Sequence, residues 1–139
     1  MQTDLTGAWR LVSFQAVGTD GSVAYPLGVD ATGQLLYDPS GRMSLHIVRA
    51  DVEPFVDDDW EQAADEEIRD AWPAYLGYCG TFRVGADEVT HDIEGSWFPN
   101  LSGRAQRCRY RKENDDRLVL FLPGEPEEVR LTWERYAIR

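Results

Sequence analysis

At 139 residues the chain is the size of one domain, and 42% hydrophobic with 12% aromatic content marks it as globular rather than disordered. The formal net charge is −11, which excludes a nucleic-acid or anionic-membrane binder, and no apolar run approaches the ~20 residues needed to span a bilayer. Ten of the twenty residues from 51 to 70 are acidic and only Arg69 is basic, a net −9, so the remainder is nearly balanced at −2.

The opening, MQTDLTGAW, lacks the basic and apolar regions of a signal peptide, and cytoplasmic residence is expected. Residues 7–17, GAWRLVSFQAV, read as a first strand with Trp9, Leu11 and Ser13 on one face and Arg10, Val12 and Phe14 on the other. A turn at Thr19-Asp20-Gly21-Ser22 follows, then an extended Tyr25-Pro26-Leu27-Gly28. Gln34–Tyr37 is a strand, Asp38-Pro39-Ser40-Gly41 a hairpin turn, and Arg42–Arg49 the return strand. Met43, Leu45 and Ile47 alternate as a core face, which leaves His46 half-exposed on the other.

One helix is expected, from about Asp59 to Trp72. Trp60, Ala64, Ile68, Ala71, Trp72 and Tyr75 recur at helical spacing as one apolar stripe, predicted to face the barrel as a lid or plug. Asp58 and Glu61 have capping-box spacing, Asp57, Asp58, Asp59 and Glu61 favour the helix N-terminus, and Pro73 ends or kinks the helix. The acid run reads as a cap and a solvated face.

Five further strands are expected at about Tyr78–Val84, Val89–Phe98, Arg104–Glu113, Leu118–Leu122 and Val129–Ala137, with turns at Asp115-Asp116 and Pro123-Gly124-Glu125-Pro126. About eight strands, one helix and short hairpins predict a single all-β domain over 1–139: an antiparallel up-and-down β-barrel with the short helix as lid or plug. Cys79 and Cys108 have no secretory context and are expected to be free, buried thiols. No CxxC or HExxH pattern occurs, so no metal and no cofactor is expected.

Residues 88–110, EVTHDIEGSWFPNLSGRAQRCRY, concentrate the candidate chemistry. His91 shares parity with Val89, Ile93 and Trp97, while Asp92, Glu94 and Ser96 take the outward face unless a bulge at Gly95 reverses it. Gln106, Cys108 and Tyr110 alternate with Arg107, Arg109 and Arg111, whose charges suit a solvated face. Asn100 beside Pro99 fixes the bend between the two strands. A buried His91 is pushed toward the neutral form, as an acid/base group or as a core residue bonded to Gln106 or Tyr110. His91 and Tyr110 are the candidate catalytic residues; Tyr37, Tyr78, Phe82, Trp97, Gln106 and Tyr110 are the candidate ligand-binding residues.

Gly7-Ala8-Trp9 resembles the GxW opening of the lipocalins, and Arg135 in TWERYAIR resembles the arginine that packs over that tryptophan. GAWRLVSF, Tyr25-Pro26-Leu27-Gly28, Gly33-Gln34-Leu35-Leu36-Tyr37, Gly41-Arg42-Met43-Ser44, YLGYCGTF (75–82) and His91–Asn100 are similar to the bacterial and fungal lipocalin-like domains. The resemblance implies a small ligand-binding barrel, and some related barrels are cyclases or isomerases of natural-product pathways. It brings no universal catalytic motif. Three readings follow: a binder of a small, largely apolar or aromatic molecule, polyketide- or terpenoid-like; a cofactor-free cyclase or isomerase using the same pocket with His91 as acid/base; and a structural barrel filled by its own side chains. A monomer or homodimer is expected.

Overall fold

In the computed structural model, residues 4–123 and 127–137 are described. The strands are β1 (Gly7–Gly18), β2 (Val23–Ala24), β3 (Thr32–Tyr37), β4 (Arg42–Val48), β5 (Tyr75–Val84), β6 (Glu88–Ser96), β7 (Ala105–Asn114), β8 (Arg117–Leu122) and β9 (Glu127–Arg135), with one helix, α1 (Asp65–Ala71). Apart from the two-residue β2, each strand pairs antiparallel with its sequence neighbours, and β1 pairs with β9. The eight long strands therefore form a closed up-and-down barrel without a free edge. The expected turn over 123–126 lies, but for Pro123, outside the described residues.

Both ends of the barrel follow from this order. The turns 38–41, 85–87 and 115–116 gather at the end where β1 begins, and the longer connections 19–31, 49–74 and 97–104 at the other. Trp9 and Arg135 are register partners at the first end. The Arg135 guanidinium lies 4.2 Å from the Trp9 ring centroid, donates from Nη1 to the Thr6 carbonyl at 2.5 Å and from Nε to the Asp115 carbonyl at 3.0 Å. The Trp9 indole N–H donates to the Leu5 carbonyl at 3.0 Å. Gly7 explains why the motif needs glycine: its φ is +135°, and a Cβ there would collide with the Arg135 guanidinium.

The core is the barrel interior, lined by Trp9, Leu11, Leu35, Leu45, Ile47, Leu118, Leu120, Leu131 and Trp133 among others. In β4 the alternation is as read, with Met43, Leu45 and Ile47 inside and His46 exposed. Arg107, Arg109 and Arg111 are likewise exposed on β7. In β1, however, a bulge between Leu11 and Ser13 adds one residue, so Phe14 and Ala16 join Trp9 and Leu11 inside instead of facing away. Of the two free thiols only Cys108 is buried; Cys79 faces outward and is exposed.

The segment before β5 departs further from expectation. A continuous helix over 59–72 would stack Glu61 on Asp65, like charges at a destabilising spacing. Instead Ala63 and Ala64 are extended, dividing it into a short 3-10 turn at Trp60–Gln62 and α1. The caps move too: Asp59, not Asp58, accepts from the Glu61 amide at 3.1 Å, and Glu67 accepts from the Ala64 amide at 3.2 Å. Helix α1 buries no residue, and the predicted stripe does not face the barrel: Trp60 is 82% exposed, Ile68 50% and Trp72 51%.

Two substitutions check this description by urea unfolding. Trp9→Ala removes the fully buried indole under Arg135 and should cost about 3–5 kcal/mol. Trp60→Ala, in the displaced stripe, should change stability by no more than about 0.5 kcal/mol. A large loss at Trp60 would mean that the segment packs on the barrel after all.

Candidate functional site

Among the described residues buried inside the barrel, His91 is the one polar or charged side chain apart from the tyrosines, fully buried at the middle of β6. Its strand neighbours in register are Phe82 on β5 and Gln106 on β7. Tyr37, from the end of β3, places its hydroxyl 2.5 Å from His91 Nε2. Tyr78, from β5, places its hydroxyl 2.6 Å from Nδ1. Phe82 packs on Tyr37 with ring centroids 4.5 Å apart, and both tyrosine rings lie 5.6 Å from the imidazole. Both tyrosines are buried. The centre is thus a chain, tyrosine–histidine–tyrosine, built by β3, β5 and β6.

Burial dominates its electrostatics. The imidazole is pushed down to about 4, chiefly by desolvation, with the charge of Asp92 opposing weakly, so His91 is neutral near pH 7. Desolvation raises both tyrosines well above their ordinary 10, with the nearby Cys108 adding to each and Tyr78 adding to Tyr37. The Cys108 thiol is itself pushed up to about 12 by burial and then by Glu88. Every group here stays uncharged at physiological pH.

The remaining candidates take other places. Tyr110 faces inward beside the core, but its hydroxyl donates to the carbonyls of Gly85 and Ala86, 2.9 and 3.1 Å away, at the β5–β6 turn. Both His91 nitrogens are already engaged, so Tyr110 is not its partner. Gln106 is half-buried opposite His91. Trp97 was expected on the His91 face, and the structure corrects this. Between Cys79 and Gly80 the register slips by one, with Glu94 the additional residue on β6, so parity reverses before Trp97. Trp97 then packs against Trp72 and Phe98, with centroids 6.3 and 6.1 Å away. Glu94 itself stays outward, paired with Arg42. His91, Trp97, Gln106 and Tyr110 consequently do not converge on one void.

Trp133 was missed: its indole N–H is fully buried with no acceptor among the described residues. The signal was present, because Leu131 and Trp133 alternate with Arg135 on one face of the last strand.

Two clefts lie on the outside. One, about 490 Å³, runs between residues 49–55 and α1; the other, about 390 Å³, is bounded by Gln34, His46, Val48, Tyr75 and Tyr136. In the second, His46 bonds Tyr75 through Nδ1 and Ser44 through Nε2. Neither cleft includes His91.

With this geometry in place, comparison with known proteins is decisive on family. Residues 6–136 match the lipocalin-like domain. The chain belongs to the lipocalin-like domain family. No curated protein matches. A solved structure of a redesigned β-barrel is similar to the chain at 12% identity, covering 96% of this chain and 92% of that one, with a TM-score of 0.47. The lipocalin-like fold is one suited to binding small molecules in general, and no helix among the described residues is long and apolar enough to cross a membrane.

The depressed imidazole makes the lipocalin-like barrel pH-sensitive. Unfolded, His91 titrates near its ordinary 6.5; folded, near 4, so the unfolded chain binds more protons between these values. Stability is full above about pH 6.5 and declines as pH falls toward 4, by about 2 kcal/mol between 6.5 and 5. The shifted aspartates, all lowered from 3.8, act below this window. Urea midpoints should therefore fall from pH 6.5 to 5 in the wild type and much less in His91→Gln.

Proposed function

We propose that this lipocalin-like barrel holds a small, largely apolar molecule in its interior, against the Tyr37–His91–Tyr78 chain. The observation that carries the reading is a hydrogen-bonded polar centre, fully buried, in an otherwise apolar barrel. Ligand sites in proteins combine these two features: apolar walls supply affinity through area removed from water, and a few fixed polar groups supply orientation. Phe82 and the two tyrosine rings offer flat apolar surface for an aromatic or polyketide-like skeleton. No cofactor is required by this reading.

A second reading, a cofactor-free cyclase or isomerase, has one specific observation in its favour: the chain through His91 links two hydroxyls and is a path for a proton. The magnitudes weigh against His91 as the base. General-base catalysis is most effective with a pKa near the working pH, and His91 sits at about 4. With both tyrosines raised well above their ordinary value by burial and the imidazole depressed, moving a proton from either onto the imidazole is strongly uphill. Holding a ligand asks for none of that transfer, so the binder is favoured.

Native mass spectrometry of the purified protein, followed by release under denaturing conditions, should reveal a bound small molecule. In His91→Ala its affinity should fall by about tenfold or less, the scale of one hydrogen bond. If instead the released compound is a turnover product, formed ~10²–10⁴ more slowly by the variant while binding survives, the enzymatic reading replaces the binder.

A further inference from the structure

The buried centre contains one more hydrogen than it can use. Neutral His91 carries a proton on one ring nitrogen and a lone pair on the other, and each tyrosine brings one hydroxyl proton. That makes three donor hydrogens for two hydrogen bonds. If Nδ1 is protonated, it donates to Tyr78 and Tyr37 donates to Nε2, which leaves the Tyr78 proton unused. If Nε2 is protonated, it donates to Tyr37 and Tyr78 donates to Nδ1, which leaves the Tyr37 proton unused. The surplus is therefore independent of the tautomer. Neither hydroxyl has a second hydrogen-bond partner among the described residues, and both tyrosines are more than nine-tenths buried. A hydroxyl left unpaired away from water is costly.

Trp133 gives an independent observation of the same sign. Its buried Nε1–H also has no acceptor among the described residues. The unmatched polar hydrogens inside the barrel, on a tyrosine and on an indole, thus all call for an acceptor.

Resting on the reading of the barrel as a small-molecule binder, we propose that the ligand is a neutral molecule carrying a carbonyl-type acceptor, which accepts a hydrogen bond from the surplus hydroxyl of the Tyr37–His91–Tyr78 chain. Neutrality follows from the surroundings. Among the described residues the buried core holds no cation, because His91 is uncharged near pH 7 and is the one polar or charged side chain there apart from the tyrosines. A buried carboxylate or phenolate would have no counter-charge, and the net charge of −11 opposes its approach. The chain also gives the site latitude. A tautomer change at His91 moves the free donor from Tyr37 to Tyr78, so an acceptor seated beside either hydroxyl is served without moving a side chain.

Fluorene and fluorenone test this directly, because they are close in shape and differ by one carbonyl oxygen. Equilibrium dialysis of each against the full-length protein should give fluorenone the tighter binding by about tenfold. The carbonyl stretch of bound fluorenone should move to the lower wavenumber it shows in alcohol. A Tyr37→Phe, Tyr78→Phe, His91→Leu variant, once its fold is verified by circular dichroism, should bind the two equally. The stretch is read on the wild type, so the test stands even where that variant does not fold. Equal affinities in the wild type, or a bound carbonyl stretch matching that in alkane, would overturn the acceptor assignment and leave the barrel reading in place. Failure of both probes to bind up to their solubility limits would overturn the barrel reading and this assignment together.

Discussion

Everything inside this protein depends on the pairing of its first and last long strands. A sheet of eight strands without that pairing would present two rows of unmatched backbone groups and an apolar face open to water. The β1–β9 register runs from Trp9 opposite Arg135 to Gly18 opposite Glu127, and the bulge at Leu11/Ser13 bends it so that the sheet can meet itself. Arg135 then does two things at once. Its guanidinium face covers Trp9, and its N–H groups take the carbonyls of Thr6 and Asp115, which would otherwise be loose ends of the chain at that opening. Gly7 is the condition for both, since any side chain there would occupy the guanidinium's place.

This closure was legible in the sequence because it is local in form: a glycine, a tryptophan two residues on, and one arginine in the last strand. The interior of β4 was legible for a similar reason, since Met43, Leu45 and Ile47 alternate without interruption. Alternation failed where a strand carries an extra residue. Val12 in β1 and Glu94 in β6 each reverse the faces beyond them, and nothing in their side chains announces it. Phe14 went inside and Trp97 outside by the same mechanism. Tyr37 and Tyr78 were expected to line a pocket, and their bond to His91 was not foreseen. Tyr37 is 54 residues from His91 and meets it only across the closed barrel, a relation that strand parity does not encode.

The acidic connection between β4 and β5 failed for another reason. Apolar residues at helical spacing suggested a buried stripe, but seven residues of helix bury too little to hold such a stripe against ten carboxylates. The charges keep the segment solvated, and its tryptophans remain partly exposed. Trp72 and Trp97 find each other on the outer surface instead. Periodicity predicted which residues share a face; it could not predict that the face would lack a partner.

Stability alone does not explain the buried centre. Replacing a hydrogen-bonded polar pair by apolar groups of the same shape is often neutral or favourable, and the surrounding core of Leu35, Leu45, Ile47, Val89 and Ile93 would accept such a change. The chain instead draws one residue from each of three strands, leaves His91 weakly basic at about 4 and its tyrosines firmly protonated, and so fixes a neutral donor at one depth in the barrel. A residue set that lowers stability as pH falls and still presents an unmatched hydroxyl accords with the binder proposed above. The same low dielectric that makes the unmatched hydroxyl expensive strengthens any bond it forms with a guest.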